Sequence, residues 1–193
     1  MRSRAGSRGV RVVPVVLVGL AALVVGCKPG GSEKAPLTPP PLSDVLWNPC
    51  TDLSDDVLRV LRVNPADKHV GIDSGNPTNA AAKSCSWNST EGPYGVGVGA
   101  ERFSLADVRK NKVLLNFRDV RVGSRPGLMY QDNIATNDGS ADPLTCYVSV
   151  PYKQGSIDLF IYWSRGEESK ASQLPPCDIA LSRATDLVSY LPQ

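Results

Sequence analysis

From Tyr94 the chain reads Tyr94-Gly95-Val96-Gly97-Val98-Gly99-Ala100, side chain and glycine in strict alternation. Period two is the repeat of a β-strand, so Tyr94, Val96, Val98 and Ala100 share one face and the glycines leave the other bare. Glycine weakens a strand, so its use here implies that something approaches the bare face closely. A packed helix is the expected occupant, ahead of a bound ligand. The glycines do not form a phosphate loop, because no strand-to-helix turn and no G-K-S/T follows them.

Other elements gather around this strand. Asn48-Pro49-Cys50-Thr51-Asp52 punctuates the start of a domain. Leu53, Val57, Leu58 and Leu61 then recur at helical spacing, which predicts a short helix ending before Asn64-Pro65. Residues 67–83, with Gly71, Gly75, Asn76-Pro77 and Asn79, read as a loop. A strand is expected at 84–88, and Ser104 caps a short helix through Asn111, with Asp107 at the capping-box position. Further strands are expected at 114–122, 127–131, 145–152 and 156–163. The last two form a hairpin across Lys153-Gln154-Gly155, and Asn137-Asp138-Gly139-Ser140 marks a turn. After a polar loop over 165–176, Cys177 opens the clearest helix, in which Ile179, Ala180, Arg183, Ala184, Leu187, Val188 and Leu191 mark a broad face. This order predicts a single α+β domain, an antiparallel sheet of about five to six strands with helices mainly on one face.

The N-terminus places the domain. Arg2, Arg4, Arg8 and Arg11 lead into an apolar run from Val12 to Val25, too short to span a bilayer comfortably, and Gly26 precedes Cys27. These residues resemble the bacterial lipoprotein signal, in which Cys27 receives a diacylglyceryl thioether and becomes the mature N-terminus. A free cysteine, or an uncleaved N-terminal anchor, is the alternative. Residues 28–43, rich in Gly, Pro, Ser and Lys and containing Pro39-Pro40-Pro41, read as an extended spacer. The expected organisation is a signal peptide over 1–26, a lipidated N-terminus and spacer over 27–43, and a disulfide-stabilised domain over 44–193. The protein is then held by its acyl chains on the outer face of the cell membrane.

Charge excludes one class of partner. The 193 residues carry 21 Lys+Arg against 19 Asp+Glu, but the four arginines leave with the signal, so the mature chain has 17 against 19 and a net charge of −2. Without a cationic block there is no footprint for nucleic acid. With Cys27 assigned to lipid, Cys50, Cys85, Cys146 and Cys177 remain, an even number that reads as two disulfides in an exported chain. Among the possible pairings, Cys50 with Cys85 and Cys146 with Cys177 is favoured, since it ties each terminal helix to the sheet. Zinc has no support, because no C-x-x-C occurs.

The cysteine contexts carry a resemblance. Asn48-Pro49-Cys50 before a short helix, Cys85-Ser86-Trp87 in a strand, Cys146-Tyr147-Val148-Ser149-Val150 near the end of the sheet, and Cys177-Asp178-Ile179-Ala180 opening a final helix to Leu191-Pro192 follow the lipobox in that order. Together they resemble the actinobacterial lipoproteins grouped as domain of unknown function 3558. The resemblance covers about residues 42–191. It implies a cell-envelope lipoprotein with an α+β domain and supplies no chemistry to transfer.

Candidate sites are few. His69, the sole histidine, reads as a surface loop residue, and no G-x-S-x-G, H-E-x-x-H or S-x-x-K pattern frames a nucleophile or a metal. Asp52, Asp55 and Asp56 lack the spacing of a calcium loop and read as first-turn helix residues. Glu101, Asp107 and Asp119 are the carboxylates available for glycoside hydrolysis, with no spacing that pairs any two of them. Trp47, Trp87, Trp163, Tyr94, Tyr130, Tyr147 and Tyr152 offer ring surface for an apolar pocket, although Trp87 and Trp163 alternate with core residues. Tyr147, Phe160 and Tyr162 share the opposite sheet face and form the candidate ligand-binding surface. The expectation is a non-enzymatic binding or accessory module for a partner protein or a small apolar envelope ligand, without cofactor or metal. An envelope hydrolase acting on cell-wall glycan or lipid is the alternative.

Overall fold

Strand alternation dominates the architecture. The computed structural model describes residues 46–73, 81–153 and 155–192; Cys27, the signal segment and the spacer lie outside them. Seven strands form one antiparallel sheet: β1 (His69–Asp73), β2 (Ala82–Asn88), β3 (Tyr94–Glu101), β4 (Leu114–Val122), β5 (Arg125–Asp132), β6 (Thr145–Tyr152) and β7 (Gly155–Trp163). Their spatial order is β1-β2-β3-β7-β6-β5-β4. The glycine-alternating β3 therefore sits inside the sheet, paired with β2 on one side and β7 on the other. β6 and β7 form the expected hairpin.

The strand count exceeds the expected five to six because 67–83 is not all loop. His69–Asp73 pairs with β2 as a short edge strand, and its register shifts between Val70 and Asp73. Gly71 and the nearby Gly/Asn/Pro punctuation hide so short a strand, and its exposed Val70 and Ile72 give no buried alternation to read.

The helices are α1 (Pro49–Asp52), α2 (Asp55–Val60), α3 (Leu105–Val108), α4 (Glu168–Gln173) and α5 (Pro176–Leu187), followed by a 3-10 turn at Val188–Tyr190. Where one N-terminal helix is expected there are two, because Ser54 takes an extended conformation and caps α2 through Val57 N–H at 3.4 Å. Asp52 closes the first turn by accepting from Asn48 N–H at 3.2 Å, while Asp55 and Asp56 meet Arg59 at the surface. Likewise, α4 interrupts the expected polar loop, with Ala171 as its one buried residue.

One face of the sheet carries the main core. Cys85, Trp87, Val96, Val98, Val148, Ile161 and Trp163 pack there with Leu58, Leu61, Ile179, Ala184 and Leu187 from the helices. Two disulfides stitch that layer, Cys50 to Cys85 between α1 and β2 and Cys146 to Cys177 between β6 and α5. Arg183 is buried within the apolar stripe of α5 and is met by Glu91 of the β2–β3 turn and by Asp186 at 3.4 Å. Glu91 also receives Arg62 Nε at 3.4 Å, so one carboxylate links α5 to the end of α2.

Helices are not confined to that face. α3 covers the opposite side, where Val108 packs with Leu128, Tyr130, Phe117 and Tyr147. Ser104 caps it with the full capping box, Asp107 N–H reaching Ser104 Oγ at 3.2 Å.

Candidate functional site

The second face, opposite α5, is built by alternation. In β7, Ile157, Leu159, Ile161 and Trp163 enter the core, which turns Ser156, Asp158, Phe160 and Tyr162 to the other side. β6 turns Tyr147 and Ser149 the same way, and β5 turns Leu128, Tyr130 and Asp132. The cross-strand register then sets Tyr130 against Tyr147 and Tyr147 against Phe160. A ladder of rings results. Its centroids are spaced 5.7 Å from Phe117 to Tyr130, 5.2 Å to Tyr147, 5.6 Å to Phe160 and 6.2 Å to Tyr162. Tyr130 and Tyr147 lie parallel within 2°.

The bare face of β3 is closed by these rings, not by a helix. A methyl group on Gly97 would lie 2.0 Å from the Phe160 ring, and one on Gly95 would lie 2.0 Å from that of Tyr162. Each glycine is the direct cross-strand partner of the ring that covers it. Gly99 differs. A Cβ there would meet only Lys83 O at 3.6 Å and Ser84 Cβ at 3.7 Å, ordinary contacts, because the space above it is open.

That space is a cavity of about 480 Å³, within the roughly 300–1,000 Å³ of small-molecule sites. Its floor is Gly99, Tyr130, Tyr147 and Phe160; α3 supplies Val108 and Asp107, and β4 supplies Leu114. At its mouth stand Ile72, Phe103 and Ile134, which are 53%, 50% and 74% exposed, an apolar rim left in water. Of the candidate surface Tyr147, Phe160 and Tyr162, the first two line the cavity. Tyr162 stands beside it, its ring over Gly95 and its hydroxyl donating to Ser86 Oγ at 3.1 Å. Tyr130 was recognisable as ring surface, but only the sheet register puts it in this ladder.

Acids define the cavity's polar end. Asp158 and Glu101 enter it from β7 and β3 and are hydrogen-bonded to each other. Burial pushes the Asp158 carboxyl up to about 8, with the Glu101 charge adding to the rise. Burial raises Glu101 as well, against the lowering effect of its bond to Asp158. Two adjacent carboxyls in a low-dielectric site favour holding one proton between them over ionising together. Asp132, also buried, accepts from Tyr147 Oη at 2.7 Å and from Ile134 N–H at 3.0 Å. Both phenols, Tyr130 and Tyr147, are pushed well up by burial and stay neutral.

The other residues weighed from the sequence lie elsewhere or have other roles. Asp119 stands on β4 at the surface, in contact with Arg109. Asp107 reaches the cavity wall, but its carboxylate accepts from Ser104 Oγ at 2.6 Å and Lys110 Nζ at 2.8 Å, and these donors hold it at about 2. His69 lies exposed on β1. Trp87, Tyr94 and Trp163 belong to the core of the first face. Among the described residues, no group of three or more His, Cys, Asp or Glu is placed to hold a metal ion, and no helix is long and apolar enough to cross a membrane.

A second hollow of about 320 Å³ lies near α4, bounded by Leu144, Ala171, Pro175 and Cys177. It contains none of the raised carboxyls. No curated protein and no solved structure matches the chain. Residues 22–190, most of the chain, match the family described as Protein of unknown function (DUF3558), and the chain belongs to that family.

Proposed function

We propose that the protein is a lipid-anchored lipoprotein of the outer face of the cell membrane, a non-enzymatic module that binds a small apolar or amphipathic molecule in the cavity above Gly99. The anchor is supported by the basic n-region, the apolar run and Gly26-Cys27, and the spacer over 28–43 supplies the reach away from the surface. The observation that carries the binding role is the cavity itself. Its aromatic floor, apolar rim and few convergent polar groups are the composition of a ligand site.

The geometry supports binding over hydrolysis. Glycosidases separate their two carboxyls by ~5 to 9.5 Å to admit a sugar carbon or a water, whereas Glu101 and Asp158 are joined by a hydrogen bond. Among the described residues the histidine does not line the cavity, and the Tyr147 hydroxyl, which donates to Asp132 at 2.7 Å, is pushed well up by burial and stays neutral.

Gly99→Val provides the test, because its Cβ fits without strain while its branches fill the floor. Removing a strand glycine adds roughly 0.5–1 kcal/mol of stability. The wild-type protein is expected to bind phenylnaphthylamine, an uncharged apolar fluorophore, saturably at one per chain. Gly99→Val is expected to bind at least about tenfold more weakly, a loss of about 1.4 kcal/mol, with an unchanged or higher unfolding temperature. Equal binding by the two proteins would remove the cavity from consideration.

A further inference from the structure

Among the described residues, the polar end of the cavity has no cationic partner. Asp158 is 4% exposed, and its Oδ1 meets no hydrogen-bond donor. No cation is among the groups that act on either Asp158 or Glu101. Lys83, at the cavity's edge, shares the strand parity of Cys85 and Trp87, so its side chain points to the first face. Arg109 and Lys110, beside α3, are engaged at the surface with Asp119 and Asp107. The nearby phenols are committed too, Tyr147 to Asp132 and Tyr162 to Ser86. A buried acid pair normally has a cation or a full set of donors, and the loss of hydration is costly without them.

We propose that the cavity selects an amphipathic primary amine, its ammonium seated against Asp158 and Glu101 and its apolar body lying along Tyr130, Tyr147 and Phe160 toward the rim. The assignment rests on the reading of this cavity as a ligand site. An ammonium carries three N–H donors, enough to reach the open Oδ1 and the Glu101 carboxyl together. The ring faces beside the pair add attraction for a cation and none for an anion.

Capture is proton-linked. The groups facing the pair are Tyr130 and Asp132 from β5, Tyr147 and Ser149 from β6, and Asp107 from α3. Between about pH 5 and about pH 8 the phenols stay neutral and Asp107 stays ionised, so the proton that moves belongs to the pair. An entering ammonium expels that proton, and affinity rises with pH over this interval. The reaction is an exchange: one alkylammonium in, one proton out to solvent.

Calorimetric titration of the full-length protein with decylamine, decanol and decanoate, below their micellar concentrations and at both ends of that pH interval, tests the assignment. Decylamine is expected to bind at least about tenfold tighter than either other head, more tightly at the higher pH, with an enthalpy that depends on the buffer because a proton is released. Asp158→Asn, and separately Glu101→Gln, are expected to reduce the amine's advantage over decanol to within about threefold. Retained decanol binding shows that each variant still folds. If decanol or decanoate matches decylamine, or if neither variant changes the ratio, the amine assignment is overturned and the cavity remains a ligand site. If none of the three binds the wild-type protein, the ligand site itself is overturned.

Discussion

Asp158 governs how this domain responds to pH. Its carboxyl is raised from 3.8 to about 8, so the folded protein holds a proton that the unfolded chain has already lost over most of that range. Unfolding then releases a proton, and stability falls as pH rises from about 4 to about 8, levelling off above. The ligand-free protein is expected to show a declining unfolding temperature from about pH 5 to about pH 8. Asp158→Asn removes the buried charge, flattens that slope and stabilises the protein at the upper end by on the order of 1–3 kcal/mol. Thermal unfolding followed by circular dichroism across pH checks this. A wild-type profile that rises with pH would show the pair ionised in the fold.

At the scale of elements, the disulfides hold the helical layer to the sheet. Cys50–Cys85 and Cys146–Cys177 close loops of 35 and 31 residues, each worth roughly 4 kcal/mol in the chain-entropy account. Replacing Cys146 and Cys177 together by serine is expected to lower the unfolding free energy by about that amount while α5 stays docked through Ile179, Ala184 and Leu187. Denaturant unfolding monitored by tryptophan fluorescence measures the loss, and a change under about 1 kcal/mol would mean that packing alone fixes α5. Much of this layer was legible in the chain: β6 and β7 alternate without interruption, and the α5 face is marked by aliphatic spacing. What escaped was short or contradictory locally. β1 is buried under turn-like residues in sequence, α4 offers one core contact, and Ser54 divides what reads as one helix. The occupant of the β3 glycines escaped for another reason. Gly95 and Gly97 are covered by residues more than sixty positions away, so only the pairing of β3 with β7 reveals it.

The site belongs to the whole molecule, since all seven strands and α3 contribute to its walls. Its aromatic half was partly readable, because Phe160 and Tyr162 share one strand's parity and Tyr147 shares its neighbour's. Asp158 lies on that same parity and carried a signal of its own, a charge amid alternating apolar residues. Glu101 was among the candidate carboxylates, but its partner was not legible, for it meets Asp158 diagonally through the Gly99–Asp158 and Glu101–Ser156 pairs. At this scale Cys27 is the proposed point of attachment to the membrane. Cys27→Ala is expected to move the protein from the membrane fraction to the soluble fraction, and persistent membrane association would show that the apolar segment itself anchors the chain.

The central claim is that the space above Gly99 is an occupied ligand site in the cell. Native mass spectrometry of the full-length protein and of Gly99→Val, each extracted from its own host's membranes and followed by organic extraction, tests it most directly. The account predicts a bound mass on the wild-type protein that is absent from the variant and that yields an amine-bearing amphipathic molecule on extraction. Two identical, empty proteins would contradict it.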